Sequence, residues 1–163
     1  MLQSPSKERF ELLRNGIEWG HLDKIDTPLY FLLYFGGLIL ESAISRQWYQ
    51  LYENNPKIQA FAVAKDGVVV WQTENWNLIE DIKAIIDAPQ SAAGKVTAGG
   101  VKYKRVRSAQ DFYIGSADSN QGHLLITKIN DSSWAIAWAD SSAVPELAII
   151  DVTKVSIHLK GNI

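Results

Sequence analysis

The fold of this 163-residue chain is decided by residues 100–139, which read GVKYKRVRSAQDFYIGSADSNQGHLLITKINDSSWAIAWA. Near the end of this stretch, the large side chains of Trp134, Ile136 and Trp138 alternate with alanines. We therefore expect a strand with one bulky face and one face of small residues against which a helix can pack closely. Three more strands are predicted from apolar runs bounded by turn residues, at 102–107, 112–115 and 123–129. Together the four strands predict an antiparallel meander.

The segments on either side extend this pattern into an α+β fold. Residues 58–64 and 68–73 are predicted to form two strands joined by an Asp-Gly turn. A helix is predicted over residues 77–88, with Pro89 just beyond it. A final helix is expected after Ser141-Ser142, with Pro145 in its first turn and an end at Gly161. Its predicted apolar spacing is carried by four residues: Leu147, Ile150, Val155 and Leu159.

The N-terminal part is predicted to be helical. Phe10, Leu13 and Ile17 have the spacing of a short amphipathic helix. A second helix is expected to start at Asp26-Thr27-Pro28, and the pair Gly36-Gly37 is expected to kink or end it. A further helix over residues 38–53 should stop at Asn54-Asn55-Pro56. We expect residues 1–41 to be a helical extension and residues 42–163 to be the main domain, with a central antiparallel sheet flanked by N- and C-terminal helices.

Composition argues against several classes of function. The formal net charge of -2 provides no global attraction to nucleic acid, and the absence of cysteine excludes disulfides and thiolate metal sites. The apolar stretch 29–40 is shorter than the ~20 residues that span a bilayer, so no membrane span is expected. The first residues lack the pattern of a secretory signal, which favours a cytoplasmic protein.

Catalysis is not expected either. The three histidines, His21, His123 and His158, fall in different predicted elements without carboxylates at metal-ligand spacing. The sequence contains no nucleophile-elbow, Walker or dinucleotide-binding motif. We therefore predict a binding protein that has no cofactor, no metal site and no enzymatic activity.

The succession of short motifs resembles profilin from about residue 42 to the end of the chain. It comprises GVKY at 100–103, YIG at 113–115, GHLLITK at 122–128 and WAIAW at 134–138. The N-terminal extension is similar to that of extended profilin-like proteins of archaea. The resemblance implies an α+β fold, two binding surfaces and regulation of actin polymerisation by binding of the monomer. The same element order occurs in roadblock/LC7 domains, so the alternative is a dimerising scaffold for small GTPases, with residues 29–40 at its interface.

The resemblance implies an actin-binding face formed by the later strands and the C-terminal helix. Four basic residues lie at matching places: Lys102, Arg105, Arg107 and Lys128. A basic cluster suits an acidic protein surface, because it speeds encounter and fixes register. The alternative is that these charges only solvate a strand and prevent edge pairing. Strand alternation puts Lys102 on the face opposite Arg105 and Arg107, so one role cannot apply to all of them.

The second implied surface is an aromatic groove that binds proline-rich segments, whose preformed helix loses little entropy on docking. Its candidate residues are Trp48, Tyr52, Trp71, Trp138 and His158. Trp71 comes one residue later than in the family pattern, and the family's aromatic residue near the C-terminus has no counterpart. The alternative for these aromatic residues is packing in the core. Residues 29–40 could also cover the groove, and the sequence does not decide whether phosphoinositides bind.

Overall fold

A computed structural model describes residues 27–163, so the predicted helix around Phe10, Leu13 and Ile17 lies outside the described residues. Within this range the helices are α1 (Thr27–Asn54), α2 (Ile82–Ser91) and α3 (Pro145–Leu159). The strands are β1 (Ile58–Lys65), β2 (Val68–Gln72), β3 (Lys95–Ala98), β4 (Val101–Ala109), β5 (Phe112–Ala117), β6 (His123–Asn130) and β7 (Ser133–Ala139).

All seven strands form one antiparallel sheet in the order β2-β1-β7-β6-β5-β4-β3. Helices α1 and α3 pack together on one side of the sheet, here called the helix-pair face. Helix α2 packs on the other side, here called the α2 face. The predicted α+β fold, with an antiparallel sheet between N- and C-terminal helices, is confirmed.

The alternation of large and small side chains in β7 gives the strand the two different faces that the sequence predicts. Ala135, Ala137 and Ala139 are fully buried on the helix-pair face, in the same cluster as Ala148 and Val152 of α3. Small side chains on both elements let the helix axis approach the sheet closely, which favours dense packing. The bulky Trp134 and Ile136, on the opposite side of the strand, belong to the cluster that includes residues of α2.

Helix α1 differs from its prediction because it continues through Gly36-Gly37 without ending there. A glycine in a helix costs about 1 kcal/mol relative to alanine, which a long helix with tertiary contacts can absorb. Farther along, Leu40 and Ile44 pack into the core on the helix-pair face. The helix ends at Asn54, as predicted. The proposed division between residues 1–41 and 42–163 falls inside α1.

Two further local predictions are corrected. Helix α2 begins at Ile82 rather than at residue 77, and Pro89 lies inside it rather than beyond it. The segment before α2 is a loop held by side chains; for example, the Leu78 amide donates to Oε1 of Gln72 over 3.1 Å. Proline near the end of a helix removes one hydrogen bond, and α2 stops at the left-handed Ala92, which has a φ of 49°.

Strand β3 was not predicted. It is four residues long and pairs with β4, from Ala98 opposite Val101 to Lys95 opposite Lys104. The turn between these strands is formed by Gly99 and Gly100, both at positive φ. Among residues 27–163, none of the helices combines the length and the apolarity that crossing a bilayer requires.

Candidate functional site

A β-bulge in β4 determines where the predicted basic residues point. Arg105 pairs with Gly115, but Arg107 pairs with Ile114, so Val106 is an extra residue with no partner of its own. Directly paired residues of neighbouring strands share a face. Ile114 is buried in the cluster beneath α1 and α3, so Arg107 lies on the helix-pair face.

The bulge corrects the expectation from simple alternation. Lys102 precedes Tyr103, which is buried on the α2 face, so Lys102 also lies on the helix-pair face with Arg107. The two exposed residues are five positions apart, about 15 Å along the strand. Arg105 lies on the α2 face instead, where its Nη1 donates a 2.7 Å hydrogen bond to the carbonyl of Ala92. Lys102 and Arg107 thus lie on the same face of the sheet, and Arg105 lies on the other.

Lys128 is also separated from this pair. It is opposite Trp134, which packs on the α2 face, and its Nζ is 3.0 Å from Oδ1 of Asp131. On the helix-pair face, Lys104 forms an exposed ion pair of 3.2 Å with Asp118. Within the described part of the chain, neither Lys102 nor Arg107 has such a carboxylate partner. We name these two residues the basic pair.

The second predicted surface is a group of aromatic side chains between α1 and the first hairpin. Trp48 is stacked on Phe61, with ring centroids 6.0 Å apart, and Tyr52 lies 5.7 Å from Trp48. Trp71 contacts the other end of the group, 6.1 Å from Phe61. Phe61 is fully buried, whereas the other three keep part of their surface exposed. We name these four residues the aromatic groove.

A second bulge brings Trp71 into the aromatic groove. Val63 pairs with Trp71 and Ala64 pairs with Val69, so Val70 is the extra residue in β2. Val63 faces α1 and α3, and Trp71 therefore lies on the helix-pair face as well. The bulge accounts for the position of Trp71 one residue later than in the family pattern. The alternative of core packing applies in part, because Trp71 packs against the buried cluster while remaining partly exposed.

The remaining two predicted groove residues have different positions. His158 is exposed on α3, seven residues after Asp151, whose Oδ2 accepts a 3.1 Å hydrogen bond from Nδ2 of Asn55 just beyond α1. Seven residues are almost two helical turns, so His158 is on the side of α3 that meets α1. Trp138 is on the α2 face, where its indole Nε1 donates to the carbonyl of Gln121 over 2.9 Å. The structure does not bring Trp138 into the aromatic groove.

Helix α3 presents its apolar residues differently from the prediction. Its buried side consists of small or branched residues that include Ala148, Val152 and Val155. Leu147 and Ile150, predicted to carry the packing face, are exposed to 62% and 50%, respectively. The helix is apolar on two sides, and the side with the smaller residues fits the alanine row of β7. Sequence spacing alone does not distinguish these two sides.

Comparison with known proteins identifies relatives of the chain. No family model matches it. The chain is 36% identical to Thor profilin from Thorarchaeota archaeon (strain AB_25) over 109 residues, which are 65% of the chain and 85% of the relative. It is 31% identical to Loki profilin-2 from Lokiarchaeum sp. (strain GC14_75) over 74 residues, 41% of the chain and 55% of the relative.

Solved structures of profilins are also similar to this chain. A structure of LokiProfilin2 in complex with rabbit actin has a TM-score of 0.69 and 26% identity, covering 74% of this chain and 97% of that chain. Acanthamoeba castellanii profilin IB shares the fold, with a TM-score of 0.58 at 18% identity over 66% of this chain and 89% of that chain. These matches provide no support for the roadblock/LC7 alternative. With 36% identity across 85% of Thor profilin, the chain belongs to the profilin family.

Proposed function

We propose that this protein binds an actin monomer and regulates actin polymerisation, and that it acts in the cytoplasm by binding rather than by catalysis. The observation that carries the proposal is the exposed basic pair, Lys102 and Arg107, on the helix-pair face of the sheet. The family relationship supports it, because a solved structure of the same fold holds LokiProfilin2 in complex with rabbit actin.

The chemistry of the basic pair fits an acidic partner surface. Both side chains are exposed. Lys102 lies in the part of β4 that is paired with both β3 and β5, and Arg107 lies in the part that is paired with β5. Exposed charges contribute little to affinity on their own, but they raise the rate of encounter and fix the orientation of the partner. Their contribution should therefore decline as salt is added.

A polymerisation assay with rabbit actin tests the proposal. The full-length protein should slow the assembly of actin monomers, and Arg107→Glu should weaken this effect by reversing one charge of the basic pair. Lys83→Glu is the matched control, since Lys83 is an exposed residue of α2 on the other side of the sheet. A stable dimer that leaves actin assembly unchanged would refute the proposal. Loss of activity in both charge variants would show that net charge matters and the basic pair does not.

We further propose that the aromatic groove binds proline-rich segments. The contact series from Tyr52 through Trp48 and Phe61 to Trp71 supports this proposal. Part-exposed aromatic rings above a buried one form a firm surface against which proline rings can pack, and indole and phenol groups can donate to peptide carbonyls. His158 lies on the adjoining side of α3, where it could contribute a further hydrogen bond.

Titration with a polyproline peptide, followed by tryptophan fluorescence, tests the groove. The wild-type signal should change on binding, and Trp71→Leu should weaken binding because it removes the ring at one end of the contact series. Trp138→Phe is the matched control, because Trp138 lies on the α2 face. A response no larger than that of a scrambled peptide would count against a proline-rich ligand. An equal loss of affinity in both variants would show that the aromatic groove is not the binding site.

A further inference from the structure

The side of α1 that carries two residues of the aromatic groove continues beyond the groove. Ser45, Trp48 and Tyr52 follow Glu41 by four, seven and eleven residues. Because these intervals are close to whole turns of a helix, the four side chains lie on one side of α1. With a rise of about 1.5 Å per residue, Glu41 is roughly 10 Å along the helix from Trp48. The groove side of α1 therefore has a carboxyl group at one end.

The hairpin of β1 and β2 faces this end of α1. A short connection joins α1 to β1, so the helix and the strand run in opposite directions, with Trp48 stacked on Phe61. Residues that precede Trp48 on α1 therefore lie toward the end of β1, where Lys65 pairs with Val68 on the helix-pair face. Val68 is 60% exposed. A ligand that leaves the aromatic groove in this direction would pass between Glu41 and Val68.

Glu41 has a carboxyl group that the described part of the chain leaves without a cationic partner. The side chain is partly buried, and burial raises the pKa of its carboxyl group above the ordinary value. Two ion pairs form among the described residues, and neither of them includes Glu41 or Lys65. A cation brought by a ligand would offset part of the free energy that burial costs the carboxylate. The charge at this end of the groove thus complements a basic ligand residue.

We infer that Glu41 determines the specificity of the aromatic groove, and that the preferred ligand is a proline-rich segment with a lysine or arginine beside its prolines. This inference rests on the proposed binding of proline-rich segments and adds the charge of the flanking residue. A polyproline helix rises about 3.1 Å per residue, so the distance from Trp48 to Glu41 corresponds to roughly three ligand residues. The basic residue should therefore lie within about one turn of the prolines that contact Trp48. Such charge complementarity provides specificity and register more than affinity.

Titration of the full-length protein with three capped polyproline peptides, followed by tryptophan fluorescence, tests the inference. The peptides differ only in the residues that flank the prolines at both ends, which are lysines, glutamates or serines. The lysine peptide should bind about three- to tenfold more tightly than the serine peptide, because its cation can reach Glu41 in either orientation of the peptide. The glutamate peptide should bind more weakly than the serine peptide. Both differences should shrink as salt is added.

A pair of charge variants assigns the preference to one residue. Glu41→Gln should bind the serine peptide as the wild type does and should lose the preference for lysine. Glu53→Gln is the matched control, because Glu53 is an exposed glutamate of the same helix that lies about a third of a turn away from the groove side. Circular dichroism establishes that each variant is folded. Should Glu41→Gln fold poorly, the comparison of the three peptides on the wild-type protein still tests the inference.

The outcomes separate this inference from the proposed function. If none of the peptides binds the wild-type protein, the proposed binding of proline-rich segments fails and the inference fails with it. If the serine and lysine peptides bind equally well, the groove binds proline without selecting charge, and the inference alone is overturned. If Glu53→Gln reduces the lysine preference as much as Glu41→Gln does, net charge accounts for the preference, and the role of Glu41 is overturned.

Discussion

The substitution Gly122→Ala should be among the most destabilising single-methyl additions in the described part of the chain. Gly122 precedes β6 with a φ of +91°. A Cβ at this position would overlap the carbonyl oxygen of Ala139 and lie 2.7 Å from indole atoms of Trp138. The carbonyl belongs to the backbone of a core strand, and the indole is held by its hydrogen bond to Gln121. Neither neighbour can move without disturbing other contacts.

The loss of unfolding free energy expected for Gly122→Ala has two parts. A left-handed φ costs a residue with a side chain about 1–2 kcal/mol, and forcing extra volume into packed surroundings adds about 1–3 kcal/mol. Gly67→Ala isolates the first part, because Gly67 has a φ of +78° and nothing within 4 Å of the added Cβ. Gly161→Ala has neither penalty and should be close to neutral. The predicted order of destabilisation is therefore Gly122→Ala, then Gly67→Ala, then Gly161→Ala.

Urea unfolding followed by tryptophan fluorescence measures all three variants. With a slope of about 1–3 kcal/mol per molar urea, Gly122→Ala should lower the unfolding midpoint by about 1 M or more. The reasoning is refuted if Gly122→Ala costs no more than Gly67→Ala, because the contact with β7 would then contribute nothing. A large loss in Gly161→Ala would show that open space around a glycine does not predict tolerance in this protein.

Two further predictions concern buried polar groups. Ser156→Ala should lower the free energy of unfolding by about 1–3 kcal/mol, because it leaves the buried Thr127 hydroxyl without its partner on α3. In urea unfolding, the double variant Ser156→Ala/Thr127→Val should lose less unfolding free energy than the sum of the losses in the two single variants. Burial raises the pKa of Tyr103 to about 12, so the folded state favours the neutral phenol. The resulting stabilisation of the folded state is complete below the unfolded pKa of about 10 and is lost as the pH rises through about 12. Tyr103→Phe should make the urea midpoint less sensitive to alkaline pH, and an unchanged pH dependence would contradict this cause.

The sequence predicted the sheet better than the details that orient its side chains. In β7, Trp134 and Ile136 alternate with alanines. Because side chains of a strand point alternately to its two faces, this alternation predicts a strand with one bulky face and one face against which a helix can pack. The short β3 was missed because four residues with one buried valine give too little pattern. The glycine pair Gly36-Gly37 does not end α1, because tertiary packing along the helix offsets the local penalty.

The positions of Arg107 and Trp71 in the candidate sites depend on two single-residue bulges that the sequence does not indicate. Val106 returns Arg107 to the face of Lys102, and Val70 turns Trp71 toward Phe61. Bulges arise from the fit between neighbouring strands, so they become visible only once the register is known. Trp138 does not reach the aromatic groove for a different reason. Alternation in β7 puts it with Trp134 and Ile136 on the face opposite the alanines, and the groove lies on the alanine side of the sheet.

The order of strands in the sheet also determines how the two surfaces share the molecule. Trp71 is on β2 at one edge, and Arg107 is on β4, five strand spacings away, which is about 24 Å measured along the sheet. If a proline-rich segment binds at Trp71 and an actin monomer binds at Arg107, the two proposed ligands would contact different parts of the sheet. A proline-rich tether at the first edge would leave the second region open to a large globular partner. The protein could then act as an adaptor that raises the local concentration of one ligand near the other.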